Sequence, residues 1–225
     1  MRNFKIIKDG MDVNALALAI AMKPERWDAD TFLRKYPQGP FGDTHTIMLR
    51  FPEIATGLSD EQIELYKKNM LPGYDQHESV FWPGWDELTA AHQFVFDLAQ
   101  FTRATRIGRV MINRIRPGGH IFRHADTPEH VRYWRRFHLV IQGQPGAVIY
   151  CGEKEDRSED EALQMLTGRL FWFRNELFHE VRNESNADRI SMVIDLHLGS
   201  SASPLESPVP EQPQKRRVAS SRKRS

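Results

Sequence analysis

The segment Arg189-Ile190-Ser191-Met192-Val193-Ile194-Asp195-Leu196-His197 alternates along its whole length. Ile190, Met192, Ile194 and Leu196 fall on one side of an extended chain and Arg189, Ser191 and Val193 on the other, the period-two mark of a strand with two different faces. Further runs rich in branched and aromatic residues precede it: Arg169 to Phe173, Ala147 to Cys151, Arg136 to Ile141, Arg109 to Ile115 and, much earlier, Thr46 to Phe51. Pro117-Gly118-Gly119, Gly143-Gln144-Pro145-Gly146 and Gly168 punctuate the later runs as turns. The first half reads differently. Val13 to Lys23, Ser59 to Met70 and Asp86 to Phe101 carry helical spacing, the third through Leu88, Ala91, Phe94, Val95 and Leu98. Ser59 with Gln62 forms a capping box for the second helix, and Asp12 is a weaker cap for the first. Short strands after a helical start predict an α+β chain, a sandwich or barrel with helices packed outside.

With 225 residues the chain can bury a core without covalent staples. We read 1–199 as a single domain, with a helix-rich part over 1–105 and a β core over 106–199. Residues 200–225 are Ser, Pro, Gln and basic residues with almost nothing to bury, and read as a disordered basic tail. Net charge is +1, but the stretch from Gly199 onward holds six basic and two acidic side chains. The rest has 25 basic against 28 acidic residues, so the folded part is mildly acidic. That argues against a nucleic-acid enzyme, which carries its positive charge on the folded surface; nucleic acid is left as a partner for the tail alone. Cys151 is the only cysteine, which excludes an internal disulfide and a multi-cysteine zinc site and fits a reducing compartment. The N-terminus lacks an apolar signal segment, and Ala15 to Met22 is too short to span a bilayer. The expected location is therefore cytoplasmic, with no membrane partner.

His124 and Asp126 stand two apart in His120-Ile-Phe-Arg-His124-Ala-Asp126. On an extended segment an imidazole and a carboxylate so spaced project to one side. His179, in Leu177-Phe178-His179-Glu180-Val181, would supply a third ligand from a distant strand. Two histidines and one carboxylate on one face of an ion leave open positions, the pattern of non-haem Fe(II) that binds co-substrate and O₂. An H-x-D triplet alone is common. Arg189 adds to it, standing ten residues after His179 at the head of the last strand, where a hairpin can return it toward the metal. Its planar fork suits the far carboxylate of a dicarboxylic co-substrate.

Taken in order, Asn113-Arg-Ile-Arg-Pro117-Gly118-Gly119-His120, His124, Arg136-Phe137-His138-Leu139, Gly168-Arg-Leu-Phe-Trp-Phe173, Phe178-His179-Glu180-Val181 and Arg189 resemble the catalytic domain of the aspartyl/asparaginyl β-hydroxylases. The resemblance covers Asn113 to Leu198 and implies a double-stranded β-helix (jelly-roll, cupin-like) core and an Fe(II)/2-oxoglutarate-dependent dioxygenase. Through it, His124 and His179 would be iron ligands and Arg189 would hold the distal carboxylate of 2-oxoglutarate. Arg136 and His138 would contact carboxylates of co-substrate or substrate, and Asn113 replaces a serine near the co-substrate. One departure matters: the animal enzyme has glycine where this chain has Asp126. The full triad here is like that of most 2-oxoglutarate oxygenases and of the free-proline hydroxylases similar to this family. Expected substrates are a peptidyl Asp or Asn, a free amino acid or a similar small carboxylate.

Two rivals make different claims. A different metal cupin would not turn over 2-oxoglutarate or need Arg189, and a binding module that kept the barrel would not hold iron and 2-oxoglutarate together. Trp172 and Phe173 are candidates for the cavity wall or for plain core. Glu180 and Asp195 are candidates for orienting a ligand, with a surface carboxylate the commoner role. His120 and His130 read as solvated loop residues near the site, His197 as structural, and His45, His77 and His92 have no assigned role.

Overall fold

A computed structural model describes residues 1–29, 40–42, 44–53 and 58–199; the basic tail lies outside the described residues. In chain order the elements are β1 (Phe4–Lys8), α1 (Asn14–Ala21), α2 (Arg26–Ala29), β2 (His45–Phe51), α3 (Asp60–Lys67), β3 (Val80–Phe81), α4 (Pro83–Glu87), α5 (His92–Phe101), β4 (Ala104–Ile115), β5 (His120–His124), α6 (Pro128–Tyr133), β6 (Arg135–Gln142), β7 (Ala147–Gly152), β8 (Glu161–Gln164), β9 (Leu170–Phe173), β10 (Phe178–Asn183) and β11 (Arg189–Leu198). They build two antiparallel sheets. The larger has seven strands in the order β1-β9-β6-β11-β4-β2-β3, the smaller four in the order β5-β10-β7-β8.

The central strands of the large sheet, β4, β6 and β11, sort their side chains between two cores, as the alternation in β11 requires. Ile190, Met192, Ile194 and Leu196 join Phe137, Leu139 and Ile141 of β6 on one face, against Leu16 and Ile20 of α1 and Val95 and Leu98 of α5. On the other face Val140, Phe171 and Phe173 meet Ile121, Ile149 and Val181 of the small sheet. A third cluster, Met48, Phe51, Met111 and Val193, extends that inner face toward β2. Arg189, Ser191, Val193 and Asp195 therefore look between the sheets. So do Arg136 and His138, because β6 pairs in register with β11, His138 opposite Val193 and Arg136 opposite Asp195.

The helix read over Asp86 to Phe101 is broken into α4, a 3₁₀ turn at Thr89–Ala91, and α5. Leu88 leaves helical dihedrals (φ −111°, ψ 55°) and is fully buried, so core packing turns the axis where periodicity alone would run on. His92 Nε2 then lies 2.8 Å from the Trp85 carbonyl and its ring stacks on Trp85, which gives His92 a structural role. The Ser59–Gln62 capping box is present. The Asp12 cap is displaced: the first helix starts after Val13 without a side-chain cap, and Asp12 Oδ1 accepts from the Asn14 amide at 3.0 Å.

Gly143 marks the turn between β6 and β7. A Cβ there would overlap the Met165 carbonyl oxygen, which belongs to backbone and cannot swing aside. Gly143→Ala is expected to cost more than about 2 kcal/mol, the scale of overpacking, measured by denaturant unfolding.

Candidate active site

The two candidate histidines meet across the β5–β10 ladder. His179 pairs with His124, but Val181 pairs with Ile121, so β5 spends one more residue than β10 over that interval. Such a bulge moves the following side chain to the other face of the strand. Without it His124 would sit on the outer surface with Phe122; with it His124 joins His179 on the face toward the large sheet. The ring centroids are 4.2 Å apart. Each ring is fixed from behind by a neighbouring carbonyl: His124 Nδ1 lies 2.8 Å from Phe122 O and His179 Nδ1 2.9 Å from Leu177 O. Both Nδ1 atoms therefore donate, and both Nε2 lone pairs face the same space.

Asp126 completes the group, with donor atoms of His124, Asp126 and His179 all within 4.8 Å of one another. Its amide donates to the Asn175 carbonyl at 3.1 Å. Its Oδ2 accepts from Asn175 Nδ2 and from Arg136 Nη1, each at 2.7 Å. Oδ1 is left toward His124, 3.8 Å from Nε2. Burial opposes the Asp126 charge, but Arg136 and the nearby histidines outweigh it and hold the carboxyl well below its usual range. Burial lowers the His179 imidazole to about 4 against the pull of Asp126. An ionised carboxylate and two neutral imidazoles are the protonation states a divalent metal needs, so the donor set fits Fe(II).

Arg136 is the hub of this end. Nε and Nη2 grip Asp195 at 2.8 and 3.0 Å, while Nη1 holds Asp126. His130 Nε2 lies 2.9 Å from Arg136 Nη2 and 3.1 Å from Asp195 Oδ2. His130, read as a solvated loop residue, is buried in α6, and Asp195 is fully buried.

Among the described residues, the opposite end of the inner face is polar without an acid paired to it. Arg189 is 1% exposed, donates from Nη1 to Ser191 Oγ, and leaves Nε buried with no partner. Burial alone pushes its guanidinium down to about 9. Beside it Ser191 faces Asn113, whose Oδ1 accepts from Thr46 Oγ1 at 2.9 Å. His138 lies between the two ends, stacked on Phe171, with both ring nitrogens buried and unpartnered. Burial, reinforced by Arg136, Arg189 and His179, keeps it neutral.

Other candidates fall elsewhere. Phe173 lines the site, its ring 4.9 Å from His179, whereas Trp172 belongs to the helix-side core. Glu180 alternates to the far side of β10 and is ion-paired with Arg157 and Arg182, so it is neither a ligand support nor a free surface acid. His120 lies near Glu180, and His197 hydrogen-bonds Thr105. Cys151 sits opposite His179, but burial pushes its thiol up to about 12, which removes it as a thiolate ligand. Asn175, Ser191 and Arg109 were not singled out from sequence. Only a register-accurate sheet identifies them, although Ser191 shares Arg189's face by simple parity.

These ionisations predict an acid-sensitive apoprotein. His124, His130, His138 and His179 are all held below the ordinary histidine value. Between about pH 4 and 6.5 the unfolded chain binds protons at these sites that the folded chain does not, so stability must rise with pH through that window. His179 alone, moved from 6.5 to about 4, accounts for roughly 3 kcal/mol. Asp126 and Asp195 titrate below the window and do not offset it. Thermal unfolding of metal-free protein from pH 7 to 4.5 should give a steadily falling Tm; a flat profile would contradict these ionisations.

Residues 86–197 match the family described as Aspartyl/Asparaginyl beta-hydroxylase. A comparison with curated proteins finds no match. Among solved structures the chain is similar to a prolyl hydroxylase in complex with a hypoxia inducible factor oxygen degradation domain peptide fragment from Trichoplax adhaerens, at 13% identity over 87% of this chain and 83% of that one, TM-score 0.54. A Pseudomonas putida prolyl-4-hydroxylase is similar at 14% identity, covering 88% and 93%, TM-score 0.43. An oxidoreductase of the 2OG-Fe(II) oxygenase family from Burkholderia pseudomallei is similar at 13% identity, covering 68% of this chain and 66% of that one, TM-score 0.42. At such identities the Trichoplax likeness is one of fold. No helix of the described residues is long and apolar enough to cross a membrane.

Proposed function

Through residues 86–197 the chain belongs to the aspartyl/asparaginyl β-hydroxylase family of 2-oxoglutarate-dependent oxygenases, and from that premise we propose that His124, Asp126 and His179 hold Fe(II), that Arg189 binds the distal carboxylate of 2-oxoglutarate, and that the substrate carries an anionic group. The observation that carries this reading is the pairing of a metal-competent triad with a buried arginine that, among the described residues, no carboxylate neutralises. An unpaired buried charge is costly, on the order of several kcal/mol. A dicarboxylate seated between the triad and Arg189 would relieve that cost and place its other end at the metal.

Iron bound with 2-oxoglutarate and O₂ supplies the oxidising chemistry when present. The chain's residues bind, orient and shield. Ser191, on Arg189, and Asn113, opposite Ser191, line the distal pocket. His138 offers two unpartnered ring nitrogens to a polar ligand. Phe171 and Phe173 keep water from the inner face, where a low dielectric strengthens each polar contact.

Arg109 supports the anionic substrate. Arg109 stacks 5.0 Å over Phe51, a member of the inner-face cluster, and is bonded to Tyr74, with its Nε buried and unpartnered. Arg109→Ala should raise the KM for an active amino-acid or peptide substrate about tenfold or more, as expected for losing a charged contact, while substrate-independent succinate formation stays level. An unchanged KM would remove Arg109 from recognition.

Succinate production from 2-oxoglutarate with Fe(II), screened over amino acids and peptides ending in acid or amide, tests the activity itself. No turnover with any of them, and none without substrate, would count against the oxygenase reading.

A further inference from the structure

We infer that Arg136 is a positioning residue for the metal ligand Asp126, with Asp195 and Asn175 as its supports, and that it does not contact the co-substrate. The inference rests on the triad reading above.

The geometry is specific at each atom. Arg136 directs three nitrogens to two carboxylates: Nε and Nη2 to Asp195, Nη1 to Asp126 Oδ2. A guanidinium fork used in this way has no free two-donor edge to present to a carboxylate of the co-substrate. Asp195 has no solvent exposure and stands directly opposite Arg136 on β11. It therefore fixes the fork against the paired strands β6 and β11. His130 closes the far side through Nε2, tying α6, which begins two residues after Asp126, to the same pair.

The consequence appears at Asp126. Two donors at 2.7 Å occupy Oδ2 from different directions, Arg136 from β6 and Asn175 from the loop before β10. The Asn175 carbonyl also holds the Asp126 amide. Side chain and backbone are both clamped, and Oδ1 alone remains on the side of His124. The clamp thus presets one-oxygen ligation and keeps the carboxylate from rotating into a two-oxygen grip. In a relative with glycine in place of Asp126, an arginine at this position would have a free nitrogen edge. Here that edge is used.

The test separates metal from co-substrate. Mn(II), which is redox-inert, is titrated into full-length wild type, Arg136→Lys and Asn175→Ala, and 2-oxoglutarate is then titrated into the Mn(II)-saturated proteins. Lysine keeps the charge but reaches only one carboxylate; Asn175→Ala leaves the Arg136–Asp195 pair whole and guards against a folding defect in the first variant. Both variants should bind Mn(II) about 10- to 100-fold more weakly, the scale for groups that orient a metal ligand. Their 2-oxoglutarate affinity at saturating metal should stay within about threefold of wild type, against the loss of tenfold or more expected for a severed charge-assisted contact. Unchanged Mn(II) affinity in both variants, or a tenfold loss of 2-oxoglutarate affinity in Arg136→Lys, overturns the inference while leaving the oxygenase reading intact. Failure of wild type to bind Mn(II) overturns both.

Discussion

Arg189→Met is expected to abolish 2-oxoglutarate binding and leave the ligand-free protein as stable as before, or more so. Function and stability separate here for one reason. Arg189 is buried beyond solvent, bonded through its side chain only to Ser191 among the described residues, and lowered to about 9 by burial with no countercharge among them. In the ligand-free fold that charge is a liability, and an apolar side chain of similar length removes it; exchanging buried charge for apolar packing is often neutral or stabilising by about 1–4 kcal/mol. With 2-oxoglutarate present the sign reverses, because the distal carboxylate then lies buried opposite methionine. Leaving one member of a buried pair alone costs about 3–5 kcal/mol, a loss of roughly 10²–10³-fold or more in affinity. Wild type should accordingly gain several degrees in Tm on saturation with metal and 2-oxoglutarate, and the variant should gain only the metal's share. A variant that unfolds more easily than wild type without ligand would mean that Arg189 has a structural partner and is not a waiting cation.

The second large effect belongs to Asp126. Asp126→Ala should weaken divalent-metal binding by at least about 100-fold, since one of the three proposed ligands and its negative charge disappear. The fold should survive. Arg136 keeps its two bonds to fully buried Asp195, so the guanidinium is not stranded. The loss is then nearer the net worth of a charged hydrogen bond, about 1.5–3 kcal/mol, than that of a broken isolated pair. Metal titration and thermal unfolding on the same preparation check both halves.

What could be read from the sequence follows a physical division. Strand parity fixes side-chain direction without tertiary information, so the alternation of β11 placed Arg189 and Ser191 opposite the helix-side core. That His124, Asp126 and His179 could converge was legible because H-x-D and a distant histidine are patterns of residue type. Features that depend on register were not. No local signal marks the extra residue in β5 that turns His124 inward, and strict parity through Phe122 would have pointed it outward. The employment of Arg136 stayed hidden because Asp195 lies 59 positions away and becomes its neighbour only when β6 pairs with β11. Glu180 was misjudged for the opposite reason: adjacency to His179 along the chain puts it on the opposite face of the same strand. β1 and β8 escaped notice, β8 because Glu161-Ala-Leu-Gln164 has no β-branched or aromatic residue and is held by pairing with β7.

A single site that needs both ends at once is tested most directly by a paired titration. Under anaerobic conditions wild type should bind one Mn(II) per chain and then one 2-oxoglutarate whose affinity depends on that metal. His179→Ala should lose the metal, and Arg189→Met should keep the metal but lose the 2-oxoglutarate. Retention of tight metal binding by His179→Ala, or metal-independent binding of 2-oxoglutarate that survives Arg189→Met, would place the chemistry elsewhere in the molecule.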